Sequence, residues 1–138
     1  MNMRNTLCHF FVEGVPQAQA RPRKGKYGNI YSPAPANGWK EAIQATFLQK
    51  CGRQEITEPV FLTIHFFFPK KGVNPHVSKP HTSRPDKDNL EKVIMDALNK
   101  LAWKDDSQVF GSRTAKYWSS TKCGAEIWIE TIELEVML

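Results

Sequence analysis

Apolar positions recur along this chain at strand spacing in some stretches and at helix spacing in others. Leu7 to Val12 is short, apolar and aromatic, and predicts a first strand. A basic arm punctuated by Pro and Gly follows from Gly14 to Lys26, and Tyr27 to Tyr31 predicts a short second strand before Pro33 and Pro35 break the chain. From Asn37 the period lengthens: Trp39, Ala42, Ile43, Thr46 and Phe47 recur at three- and four-residue steps, which predicts a helix, and Gly52 after Cys51 suits its stop. Val60 to Phe68 is the strongest strand signal. Val60, Leu62, Ile64, Phe66 and Phe68 share one face, and Phe61 and Phe67 on the other imply a central strand covered on both sides.

Pro69 to Pro85 reads as a long loop, of the kind that is usually functional or mobile. A second helix is predicted from Asp88 to Asn99, a turn from Trp103 to Ser107, a strand from Val109 to Trp118 and a last strand from about Ala125. In that last strand the apolar phase moves from Ile127 and Ile129 to Ile132, Leu134 and Val136, which predicts a bulge near Thr131. The element order predicts an α/β (α+β) fold, a mixed sheet of about four to five strands with two main helices. All 138 residues are expected to form one domain, 1–138.

Composition narrows the class. The chain is 41% apolar and 24% charged, ordinary for a globular protein. Its net charge of +5, from 19 basic and 14 acidic residues, favours a polyanionic partner. The three cysteines, Cys8, Cys51 and Cys123, are widely spaced, so they read as reduced thiols of a cytoplasmic protein rather than a disulfide frame or zinc site. No apolar run suits a signal peptide or approaches the ~20 residues of a membrane span.

Against this basic background, acids cluster around the second helix. At about 100° per residue, Leu90, Val93, Ile94 and Ala97 form its core stripe, while Asp88, Lys92 and Asp96 fall on the opposite side. Each feature has a structural explanation. Asp88 and Glu91 have capping-box spacing, Asp88 and Lys92 form an i,i+4 pair worth about 0.2–0.5 kcal/mol, and Asp105-Asp106-Ser107 is good turn chemistry. Together they point further. Asp86 sits behind Pro85 in chain expected to be extended, so Asp86 and Asp88 can converge across the helix start. If the strand Val109 to Trp118 pairs beside Val60 to Phe68, the Asp105-Asp106 turn could swing back to the same point. Carboxylates that close repel, and a divalent cation bound by oxygen ligands removes that repulsion. His76 and His81 lack partners at metal-ligand spacing. Trp39 and Phe47 read as core, and Trp103 as core or stacking platform.

The run Arg84-Pro85-Asp86-Lys87-Asp88-Asn89-Leu90-Glu91-Lys92, then Asp96-Ala97-Leu98-Asn99, then Trp103-Lys104-Asp105-Asp106-Ser107-Gln108-Val109, with Lys116-Tyr117 later, resembles the RusA family of Holliday junction resolvases. The likeness is close from Arg84 to Tyr117 and weaker in the arm from Pro16 to Arg23. It implies a small, homodimeric, RusA-like endonuclease, often prophage-encoded, that cuts four-way junction DNA by paired symmetric nicks in recombination and repair. It implies Mg2+ as cofactor, with Mn2+ able to substitute. By the same resemblance Asp86, Asp88 and Asp106 match the essential carboxylates and Lys92 the essential lysine, with Asp105 a further candidate ligand.

Candidate DNA contacts are Arg21, Arg23, Lys24 and Lys26 in the arm and Lys70, Lys71, Lys79 and Arg84 in the long loop. Other readings are a non-catalytic nucleic-acid-binding module, a metal-dependent phosphoesterase acting on other DNA substrates, and a structural or interaction protein.

Overall fold

The computed structural model describes residues 3–19, 23–24, 30–31 and 37–133. Stretches with strand spacing become β1 (Met3–Glu13), β4 (Val60–Pro69), β6 (Val109–Ser119) and β7 (Gly124–Glu133), and those with helix spacing become α1 (Asn37–Cys51) and α2 (Lys87–Leu98). Shorter pieces are β2 (Arg23–Lys24), β3 (Ile30–Tyr31), β5 (Lys79–Pro80) and a 3-10 turn at Asp106–Gln108. Five strands form one sheet in the order β1-β7-β4-β6-β5, and β2 pairs with β3 in a separate ribbon. β4 and β6 run parallel, and the other pairs are antiparallel. The fold is therefore the expected α+β arrangement with a mixed sheet.

Both helices pack on one sheet face. α1 buries Trp39, Ile43 and Phe47, and α2 buries Leu90, Val93, Ile94, Ala97 and Leu98. They meet Phe10 and Val12 of β1, Val60 through Phe68 at alternate positions of β4, and Ala125, Ile127 and Ile129 of β7 in a single cluster. Lys40 of α1 and Asp96 of α2 tie the two helices together at 2.6 Å. The opposite sheet face carries rings: Phe11 against Phe67, Phe67 stacked on Tyr117, and His9 stacked on Trp128. Among the described residues no helix packs on this second face, so the expected cover of central strand β4 on both sides is met on the helix side only.

Parallel neighbours cannot be joined by a hairpin and require a crossover. The connection from β4 to β6 contains α2, which therefore runs antiparallel to both strands. Side-chain contacts fix this direction. Lys116, late in β6, bonds to Ser83 and Pro85 ahead of α2, and Thr114, earlier in β6, bonds to Glu91 on the helix. The helix start lies at the C-terminal end of β4 and β6, the customary place for ligands in α/β units.

Several expectations are corrected. Of the predicted strand Tyr27 to Tyr31, Ile30–Tyr31 is a strand and Tyr27 to Asn29 lie outside the described residues. The bulge lies in β1, between Thr6 and Cys8 and opposite Glu130 and Ile129, whereas β7 keeps an unbroken register with β4 through Thr131. The long loop contains β5, which adds an edge strand to β6. Cys8 and Cys51 are not separate thiols: β1 packs against α1, brings their Cα atoms to 6.0 Å, and the two are joined as a disulfide. Burial pushes the thiol of the unpaired Cys123 up from its ordinary value.

Candidate active site

The sequence Arg84-Pro85-Asp86 turns the chain from the β6 edge into α2. Asp86 is the N-cap residue, extended at φ −70° and ψ 144°, as the N-cap position of a helix requires. Its carboxylate does not cap the helix. Asp88 lies within the first turn, so the expected capping box from Asp88 to Glu91 is absent. Glu91 instead accepts from the Thr114 hydroxyl at 2.7 Å. Asp86, Asp88 and Lys92 are all exposed. Among the described residues no ion pair joins Asp88 to Lys92. Two acids at a helix N-terminus are favoured by its partial positive charge, which lets them persist as an uncapped, solvent-facing corner. A cavity lined by Arg84, Pro85, Asp86 and Asn89 opens beside them.

The segment leading to this corner is fastened to β6. His81 donates its backbone N–H to the Lys116 carbonyl at 3.0 Å. The His81 ring is buried, stacks on Trp118 with centroids 3.8 Å apart, and accepts from the Ser83 N–H at Nδ1 over 3.1 Å. Burial lowers the His81 pKa from 6.5, and the nearby Lys116 charge lowers it further. Lys116 donates to the carbonyls of Ser83 and Pro85 at 2.6 and 2.7 Å. From the other side, the Gln19 N–H donates to the Asn89 carbonyl at 3.0 Å, so the basic arm departs beside the first turn of α2.

Asp105 and Asp106 occupy the other end of the helix. Asp105 caps the 3-10 turn: its carboxylate accepts from the Ser107 N–H and hydroxyl, and the Gln108 side chain accepts from the Asp105 N–H. Those Ser107 bonds hold the Asp105 carboxyl below the usual carboxylate value. Asp106 accepts from Trp103 Nε1 at 2.8 Å. Gln108 anchors the turn by donating to the carbonyls of Ile56 and Glu58. Trp103 is thus a core residue, 1% exposed, that also braces Asp106.

The expected meeting of Asp106 with Asp86 and Asp88 does not occur within one chain. α2 has 12 residues, and at about 1.5 Å per residue it separates the two places by roughly 18 Å. The reason is topological. The strand Val109–Ser119 does pair beside β4, but in parallel, so the turn that begins it sits at the end of the sheet opposite to Asp86. Among the described residues, no three or more His, Cys, Asp or Glu side chains gather closely enough to hold a metal. The Asp86–Asp88 corner alone offers two exposed carboxylates. That donor set fits a hard dication such as Mg2+, which takes one or two protein carboxylates and keeps waters and substrate oxygens for the rest of its shell.

Lys70, Lys71, Lys79 and Arg84 are exposed. Lys70 follows β4 and lies over the Trp118 ring at 4.9 Å, and Lys79 pairs with Trp118 across β5 and β6. These cations therefore share the sheet end that carries Asp86. Arg21 and Lys26 lie outside the described residues, and for Arg23 and Lys24 only the backbone of β2 is described. His81 is engaged with Trp118 and Ser83, and the backbone N–H of His76 donates to the Asn74 side chain. Sequence reasoning missed the roles of Lys116 and Gln108. Both stand inside the motif, but nothing in local spacing tells which carbonyls they reach.

Comparisons with known proteins identify the family. The family described as endodeoxyribonuclease RusA matches residues 13–130. A protein of Bacillus subtilis (strain 168), named "Uncharacterized protein YqaN", is 33% identical over 123 residues, which cover 80% of this chain and 87% of the relative. With most of its length matched, including both acidic ends of α2, the chain belongs to the RusA endodeoxyribonuclease family.

Proposed function

We propose that this protein is a Mg2+-dependent, structure-specific endonuclease that resolves Holliday junctions by paired nicks. One observation carries the reading: Asp86 and Asp88 form an exposed carboxylate corner at the C-terminal end of the parallel strands, with Lys92 about one helical turn beyond Asp88. Lys70, Lys71, Lys79 and Arg84 line the same end and supply the charge that draws a DNA backbone to it.

Asp86 and Asp88 would hold the cation, Mg2+ or Mn2+ in its place. When bound, such a cation lowers the pKa of a coordinated water and neutralises charge on the phosphoryl group. Lys92 directs its ammonium at the phosphoryl oxygens and stabilises the negative charge that grows on them in the transition state. No histidine stands in the run from Asp86 to Lys92, so none is assigned as general base. A water attacking in line with the P–O3′ bond adds its oxygen to phosphorus as that bond breaks, leaving a 5′-phosphate and a 3′-hydroxyl, the water's proton passing to solvent and the 3′ oxygen taking one up.

Asp106 joins the site from the second protomer of a homodimer. It is a helix length from Asp86 within its own chain, so it reaches this corner only in a dimer whose two-fold axis sets α2 antiparallel to its copy. Symmetry also matches the substrate, because two opposed strands of a junction must be cut. Asp105 accepts from Ser107 and Asp106 from Trp103 Nε1, so the choice of Asp106 as ligand rests on the family motif and not on its hydrogen bonding. Recombination, repair and prophage DNA processing are the settings this chemistry serves.

A junction-cleavage assay with Mg2+ tests the reading. Asp86→Asn is expected to abolish nicking while junction binding survives. Wild-type protein that binds a junction but never nicks it would leave a binding module as the better description. Equal cutting of linear duplex would replace junction specificity with a general phosphoesterase.

A further inference from the structure

We propose that Lys116 is a positioning residue for the carboxylate corner, acting by holding together the two carbonyls that precede Asp86. The proposal rests on the nuclease reading above and deepens it. The Lys116 ammonium has three donors, and two of them go to the main-chain carbonyls of Ser83 and Pro85, at 2.6 and 2.7 Å. Pro85 is followed directly by Asp86, so the second bond fixes the peptide from which the N-cap carboxylate springs.

This segment has few other means of holding its shape. Pro80 and Pro85 have no N–H to donate. The Ser83 N–H is spent on His81 Nδ1, and the His81 N–H on the Lys116 carbonyl. Two carbonyl dipoles converge within hydrogen-bond reach of a single point, an arrangement that repels unless a cation or donor sits there. β6 supplies that cation from a strand paired with β4 over its full length, so the corner takes its position from the sheet. Truncating Lys116 leaves both acceptors without this donor and releases the peptide ahead of Asp86, while the helix remains held by its apolar stripe.

Lys116→Met and the milder Lys116→Gln, which keeps two N–H donors without the charge, test this in the full-length protein beside Lys116→Arg. Two readouts are taken: junction nicking against Mg2+ concentration, and amide exchange with no metal present. Lys116→Met is expected to raise the Mg2+ midpoint or lower kcat by about 10–100-fold, the usual cost of losing a group that orients a metal ligand, with little change in KM for the junction. Lys116→Arg, whose guanidinium can bridge two carbonyls, is expected to recover most of the loss. Exchange is expected to quicken at Ser83 and in the first turn of α2, and to stay unchanged in α1 and β4. Lys116→Gln is expected to fall between, and it carries the decision if Lys116→Met does not fold.

Unchanged exchange at Ser83 overturns the proposal. So does a rise in KM alone, which would make Lys116 a DNA-binding residue. If wild-type protein never nicks a junction, the nuclease reading falls by itself, and the exchange measurement still decides whether Lys116 sets the corner.

Discussion

Glu91 on α2 accepts a 2.7 Å hydrogen bond from the Thr114 hydroxyl on β6, and this pair sets how far the helix stands along the strand. Both residues are half-buried. Thr114→Val keeps the shape and removes the donor, leaving a carboxylate partly desolvated. The expected cost is about 1–3 kcal/mol, read by urea unfolding. A double-mutant cycle with Glu91→Gln should show coupling between the two sites, and additive losses would mean that the bond contributes nothing.

Mixing two dead variants separates a site built within one chain from one built across two. Asp86→Asn and Asp106→Asn protomers are each expected to be inactive alone. In a mixed dimer with shared sites, one site collects both lesions and the other collects none. Nicking of one strand should therefore return after the variants are unfolded and refolded together. Sites built within single chains would leave every site with one lesion, and the mixture silent.

How much of this was legible beforehand follows from what local spacing can encode. β4 and α2 could be read because their burial repeats within each element, as the buried sets Val60, Leu62, Ile64 and Leu90, Val93, Ile94 show. The chemical motif could be read because Asp86, Asp88 and Lys92 stand close in sequence. The placement of Asp106 could not. It depends on β6 running parallel to β4, a long-range pairing that alternation along β6 does not specify. The Cys8–Cys51 bond and the Lys116 hydrogen bonds were hidden for the same reason, since each joins segments far apart in the chain. The disulfide in particular contradicts an inference from spacing alone.

Acid should loosen the segment ahead of α2. Burial, reinforced by Lys116, holds the His81 pKa below 6.5 in the folded protein. The unfolded chain then binds more protons than the folded one around that value, so stability rises with pH there. The contribution is fully present above the unfolded pKa and is lost as pH falls through the lowered folded value. Thermal unfolding of wild type and His81→Gln from about pH 7.5 to about pH 5.5 checks this. The variant should show the shallower decline, and parallel curves would remove His81 from the account.

Gly124 opens β7 where another backbone crowds it. A Cβ there would lie 2.1 Å from the Val12 carbonyl oxygen, and the residue has φ +153°. Gly124→Ala must push β1 and β7 apart, with an expected loss of about 1–3 kcal/mol in urea unfolding. Stability equal to wild type would show that the strand pair yields without cost.

The basic residues beside the corner should report themselves through salt. Neutralising Lys70 or Lys79 is expected to lower the log–log salt slope of junction binding by about 0.9 for each phosphate that is no longer neutralised. An unchanged slope would place the DNA elsewhere on the surface.

The stretch between the end of β4 and Lys79 joins two points that the sheet already holds. Its length can change without dragging Asp86, because everything downstream is fastened anew at His81 and Lys116. Evolution, or a protein engineer, can therefore rewrite that connector to suit differently shaped DNA while the cutting chemistry stays intact.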